Sequence, residues 1–281
     1  MVGLCGVVGR THGDSITMAR ALAYRGDELI APLSRGGVDA YSIEHQSRPG
    51  ATDTEVGTPD GELGVLVWGD LYGHERRGRY VPRRESHPFA STAEYLAALY
   101  KRYGANCFAG VNGEYAAVVY DAGTLSLVTD RIGSRAVFYT VADDGAVVFS
   151  TGIQSLALDE GVTPRFETDY LVEYLTYERA FGTKTPLAGV EKVPPGSVLS
   201  IDATDLTTSV HRYWYPTYAP RKCPRDYFVR ELVRRFQAAV EDRTADDATY
   251  GSLLSGGIDS RLLVGVARPG TAYHLTGWES E

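Results

Sequence analysis

The chain has 281 residues, 43% hydrophobic and 23% charged, with a formal net charge of −8. That composition supports a buried core and excludes a disordered chain. No apolar run approaches the roughly 18 residues of a membrane span, and an acidic chain argues against a nucleic-acid partner.

Three distant cysteines, Cys5, Cys107 and Cys223, give neither a disulfide framework nor zinc spacing, which fits a reducing cytoplasm. The amino end has no charged stretch followed by an apolar one, so no signal peptide is expected. Only four of the 28 basic residues are lysine. The one basic run, "HERRGRYVPRRES" over 74–86, has five arginines interrupted by Glu75 and Glu85, and reads as a solvated loop.

The first two hundred residues read as α+β with strands in the majority. "MVGLCGVVG" is a short apolar strand holding Cys5. "SITMARALAYRG" places Ile16, Ala19, Leu22 and Ala23 on one helical face, with Gly26 after it. "GVLVWGDLYG" is a buried strand running into a turn. "STAEYLAALYKRYG" is the clearest helix: Ser91 and Glu94 have capping-box spacing and Gly104 supplies the stop. The strands "GEYAAVVYD", "TLSLVTD", "AVFYTV" and "AVVFST" follow, the last two joined by the hairpin signal "ADDG". Strands this dense predict antiparallel sheets packed on each other.

"FETDYLVEYLTYERAFG" reads as helix, and "VPPGSVLSID" as a turn into a strand. The expected domains are 1–205, a linker rich in Tyr and Pro over 206–225, and 226–281. The tail opens with an amphipathic helix, "RDYFVRELVRRFQAAVEDR". "YGSLLSGGIDSRLLVGVA" and "TAYHLTGWE" then spell one βαβ unit. A parallel sheet needs helices on both faces, so a longer protein is expected.

The chemistry concentrates in "LLSGGIDS", residues 253–260. Gly256 and Gly257 allow a tight turn with exposed N–H groups, and Ser255 and Ser260 add hydroxyls. The helix that follows aims its positive end at the loop. The set suits a pyrophosphate, and Asp259 suits Mg²⁺. No Lys-Ser/Thr pair closes it as in a Walker A loop; a plain βα turn is the alternative.

This loop is similar to that of the ATP pyrophosphatases. With what precedes it, the chain resembles the asparagine synthetase family. The ordered series is the near-terminal cysteine, "YRGDE", "VWGDLYGH", "FASTAEYL", "GEYAAVVYD", "TDRIGSRAVFY", "FSTGIQSL", "GVEKVPPGSVLSID", "HRYWYP" and "LLSGGIDS". The resemblance implies an αββα sandwich, an N-terminal-nucleophile glutaminase domain, followed by the start of an α/β parallel-sheet synthetase domain. Cys5 would be the nucleophile and Gly69 a backbone oxyanion donor. The second domain would use ATP and Mg²⁺ to adenylate aspartate or a related carboxylate, with Leu253 against the adenine. Ammonia, free or from glutamine, would then displace AMP. A homodimer is compatible with it.

Four departures bear on the glutaminase half. Residues 1–4 precede Cys5, so its nitrogen is a peptide nitrogen and not a base. Trp68 stands where the family has an asparagine oxyanion donor, and Thr92 where it has an acid that holds glutamine. Arg48, in "YSIEHQSRPG", is the nearest candidate for the arginine that would hold the glutamine carboxylate. Three readings follow: an asparagine-synthetase-type ligase; a β-lactam-synthetase-like ligase with a retired glutaminase domain; and a binding or structural module.

Overall fold

The computed structural model describes residues 2–10, 15–45, 56–57, 63–86, 89–246 and 248–274. They divide into two units, Met1–Pro216 and Thr217–Glu281.

The first unit begins β1 (Gly3–Val8), α1 (Ile16–Leu22), β2 (Glu28–Arg35), β3 (Val38–His45), β4 (Val56–Gly57), β5 (Leu63–Arg76) and β6 (Arg79–Pro82). It continues with α2 (Thr92–Tyr103), β7 (Val111–Asp121), β8 (Thr124–Thr129), β9 (Phe138–Val141), β10 (Val147–Ser150) and α3 (Ile153–Leu156). It closes with α4 (Thr168–Tyr177), β11 (Glu191–Lys192), β12 (Ser197–Asp202) and β13 (Thr208–Arg212).

Two antiparallel sheets result, in the orders β11-β9-β10-β1-β3-β2 and β13-β12-β8-β7-β5-β4, with β6 paired to β5. Strand alternation sends successive side chains to opposite faces, and three buried clusters mark the layers. Leu4, Val8, Leu66, Val118, Leu127 and Phe149 fill the space between the sheets. Val65, Val67 and Val119 on the outer side of the second sheet pack under Tyr95, Leu96 and Leu99 of α2. Cys5, Val7 and Val148 on the outer side of the first pack under Met18, Ala19 and Leu22 of α1. The order is helix, sheet, sheet, helix, the αββα sandwich expected from the sequence.

The local signals operate as predicted in α2. The Glu94 N–H donates to Ser91 Oγ at 3.0 Å, the Glu94 carboxylate accepts from the Ala90 N–H at 2.6 Å, and Gly104 ends the helix at φ +58°. Two expectations need correction. The basic run over 74–86 is not a loop: it finishes β5, turns at Arg77–Gly78 and returns as β6, because Gly78 supplies a left-handed turn residue between two strand-forming stretches. The expected linker over 206–225 starts too early, since Thr208–Arg212 pairs with β12 as the end strand of the second sheet.

The second unit holds α5 (Arg225–Arg243), β14 (Gly251–Leu253), α6 (Ile258–Ala267) and β15 (Thr271–Tyr273). β14 and β15 pair in parallel, so the βαβ unit forms as its pattern implies. Leu253 and Tyr273 are exposed on it. No helix among the described residues is long and apolar enough to cross a membrane.

Candidate functional sites

A pocket of about 260 Å³ in the first unit is lined by Val2, Leu22, His45, Trp68, Thr151 and Gly152. β1 is tied to its wall: the Leu4 N–H donates to Thr151 Oγ1 at 3.0 Å, and the Thr151 N–H donates to the Leu4 carbonyl at 2.8 Å. Gly3 is required here, because a Cβ would lie 1.9 Å from Thr151 Oγ1. The Arg135 guanidinium sits 4.7 Å from the centre of the Trp68 ring. Gly69, next in β5, has φ +118°, and a Cβ on it would meet the Glu114 carbonyl oxygen at 2.1 Å. Only glycine fits there.

Cys5 is not part of this pocket. It lies mid-strand, opposite Ser150 and Tyr41, with no solvent exposure. Its thiol faces the Ser15 carbonyl at 4.0 Å. Burial, reinforced by the nearby Asp39 carboxylate, pushes the thiol far above its ordinary pKa. A thiol held protonated and packed is a poor nucleophile, which corrects the catalytic role expected of Cys5. The residue at the pocket is Val2, which sequence reasoning missed. The signal was present: "VGLCGVVG" contains two glycines three apart, each followed by an apolar residue, so a strand can start its pattern at Val2-Gly3 or at Cys5-Gly6.

Thr92, the first residue of α2, is buried and accepts from Arg83 Nη1 at 3.0 Å; it does not line the pocket. Arg48 lies outside the described residues. Near His45, the carboxylates of Asp27 and Glu28 bring three ligand atoms within 4.8 Å of one another. Glu28 already accepts from the N–H groups of Arg25 and Gly26; against some desolvation, these hold its carboxyl below the usual range.

In the second unit β14 runs into the glycine loop, and Gly257 caps α6. Gly256 has φ +81°, with no atom within 4 Å of where a Cβ would stand. Ser255 Oγ and Ser260 Oγ are 3.2 Å apart, and Ser260 Oγ donates to the Gly257 carbonyl at 3.1 Å. Asp259 lies in the first turn of α6, and Leu253 is 70% exposed at the loop's entrance. The structure thus brings Leu253, Ser255, Gly256, Gly257, Asp259 and Ser260 into one open turn.

A family model described as a glutamine amidotransferase domain matches residues 1–214, and one described as asparagine synthase matches 231–277. The chain belongs to the asparagine synthetase family of glutamine amidotransferases. An asparagine synthetase of Triphysaria versicolor is 26% identical over 99% of this chain and 43% of its own length. A carboxyethyl-arginine beta-lactam-synthase of Streptomyces clavuligerus is 34% identical over 70% and 36%, and an amidase of Penicillium rubens 30% identical over 74% and 31%. The chain therefore spans about a third to two-fifths of the length of these relatives. In fold it is similar to a glutamine phosphoribosylpyrophosphate amidotransferase from B. subtilis, with TM-score 0.50 and 14% identity over 97% of this chain and 65% of that one.

Within this family fold, the first unit keeps the sandwich but offers no thiol among the residues lining the pocket. The second unit keeps an open cradle of hydroxyls and N–H groups at a helix start.

Proposed function

We propose that the protein is an ATP-dependent, amide-forming ligase whose amidotransferase domain no longer hydrolyses glutamine. Its nitrogen nucleophile is then free ammonia or an amine already present in the substrate. The observation that carries this reading is the pocket: Val2 and Trp68 line it while Cys5 is packed beneath α1. Glutamine hydrolysis needs a thiolate, a base for its proton and an oxyanion hole. The described pocket residues supply no thiol, and Trp68 brings a bulky indole in place of an amide side chain.

The glycine loop fits the phosphates of ATP. In this reading the N–H groups of Gly256 and Gly257 and the hydroxyls of Ser255 and Ser260 hold the pyrophosphate, Leu253 packs by the adenine and Asp259 holds Mg²⁺. Mg²⁺, when bound, neutralises charge on the phosphates. The substrate carboxylate attacks the α-phosphate, pyrophosphate leaves into the loop, and the amine displaces AMP to form the amide. The β-lactam-synthase relative agrees in kind, since a β-lactam is an intramolecular amide.

ATP–pyrophosphate exchange tests this with aspartate, with aspartate plus ammonia, and with amine-bearing acids such as carboxyethyl-arginine. Exchange dependent on one acid, with no glutamate released from glutamine, is the expected result. Glutamine hydrolysis keeping pace with amide formation overturns the reading.

A further inference from the structure

A second cleft, of about 570 Å³, opens where the β5–β6 hairpin meets the end of α2. It is lined chiefly by His74, Arg76, Arg77, Arg79, Arg102 and Tyr103, and no carboxylate is among its lining residues. Its size is that of a small-molecule site.

The arrangement is costly as bare structure. Arg76 and Arg79 are directly opposed across the strand pair, and like charges in that position destabilise a sheet. Arg77 sits at φ +51°, a conformation most residues with a side chain avoid. An uncharged Asn-Gly turn would serve the hairpin as well. The Arg76 and Arg102 guanidiniums are both held over the Tyr103 ring, 3.9 and 5.2 Å from its centre. Among the described residues none of these four arginines has an ion-pair partner. This concentration stands on a chain of net charge −8, so an anion finds one favourable corner. Three or four guanidiniums suit a ligand carrying several phosphate groups, and their forked donors match phosphate oxygens. His74 lies in the same cleft, its Nδ1 3.1 Å from Tyr95 Oη, and burial, with Arg102 and Arg76 nearby, lowers its pKa.

We infer that this cleft binds a small polyphosphate, inorganic or carried on a nucleotide, through Arg76, Arg79 and Arg102. The cleft is built from the first unit alone, and the inference does not depend on the ligase reading.

Titration calorimetry with tripolyphosphate and with ATP, in EDTA at fixed ionic strength, tests it. Saturable tripolyphosphate binding is expected that weakens at least tenfold in Arg79→Ala/Arg102→Ala. Equal affinities would assign recognition to the phosphate chain alone, and tighter ATP binding to a nucleotide. A melting assay adds a signature that a structural role lacks: Arg79→Ala raises Tm without ligand by relieving the opposed charges, yet loses the rise that tripolyphosphate gives the wild type. Absence of saturable binding by either ligand overturns the inference. So does tripolyphosphate binding that survives undiminished in the arginine variant. ATP–pyrophosphate exchange should be indifferent to the arginine variant, which keeps the two proposals separately testable.

Discussion

Val2 and Trp68 line one pocket, whereas Cys5, three residues along the chain from Val2, is not among its lining residues and packs beneath α1. In the proposed reading this pocket is the amidotransferase site with other side chains in it. Restoring the family's side chains should restore chemistry. In Val2→Cys, removal of the initiating methionine leaves a cysteine with a free α-amine. That variant alone should stay weak, because one missing oxyanion donor costs on the order of a hundredfold. Adding Trp68→Asn should raise glutamate release from glutamine at least about tenfold over the single variant, by the same magnitude. Wild-type hydrolysis that disappears in Cys5→Ala would contradict the placement of the site.

The cysteines should differ sharply in reactivity. Cys5 and Cys107 are buried, whereas Cys223 is partly exposed. Iodoacetamide followed by mass mapping should label Cys223 in the native protein and the other two only after unfolding.

The same burial predicts an alkaline limit to stability. Burial pushes the Cys107 thiol up to about 12, and Cys5 higher still. Above the ordinary thiol pKa of about 8.5 the unfolded state has lost these protons and the folded state has not. Stability then falls with pH, by about 1.4 kcal/mol per pH unit for each such thiol. Urea unfolding between about pH 8 and about pH 11 should show this slope, and Cys5→Ala should make it shallower.

Arg10 gives the opposite dependence at acid pH. It holds Asp159 through Nη1 at 2.8 Å to both carboxylate oxygens, and Asp144 through Nε at 2.7 Å. Asp159 is 1% exposed and Asp144 52%. Asp159→Ala should cost about 3 kcal/mol, since it strips a buried pair, and Asp144→Asn under about 1 kcal/mol. The hydrogen bond from Arg10 holds the Asp144 carboxyl at about 2. Its folded pKa is depressed, so its contribution is present above the usual aspartate value of about 4 and lost as pH falls towards 2. Acid titration of Asp144→Asn should lack that component.

Much of this was legible in the sequence where one local rule decides the outcome. The α2 cap, the hairpin at Gly145 and the βαβ unit follow from caps, turn residues and period. The register of β1 was not legible, because two Gly-apolar pairs three residues apart satisfy the same strand pattern and only the pairing with β3 and β10 chooses between them. The 74–86 run was misread because charge suggests a solvated loop, whereas the Arg77–Gly78 turn lets the two stretches pair as a hairpin despite the opposed Arg76 and Arg79. Thr92 shows the opposite case: its position was found, but its hydroxyl is spent on Arg83.

The glycine loop carries the last prediction. Gly256 combines φ +81° with open space around a Cβ. Gly256→Ala therefore meets no clash; it strains the turn by about 1 kcal/mol, so the fold should survive. Ser260→Ala removes a hydroxyl that now donates to the Gly257 carbonyl and lies 3.2 Å from Ser255 Oγ. A hydrogen bond to a charged phosphate is worth about 1.5–3 kcal/mol, so Ser260→Ala should slow ATP–pyrophosphate exchange by roughly ten- to a hundredfold, and Gly256→Ala should slow it by re-aiming the loop's N–H groups. Circular dichroism and the melting temperature should stay close to wild type. Exchange undiminished in both variants would move nucleotide binding away from this loop and leave Asp259 without a role in holding Mg²⁺.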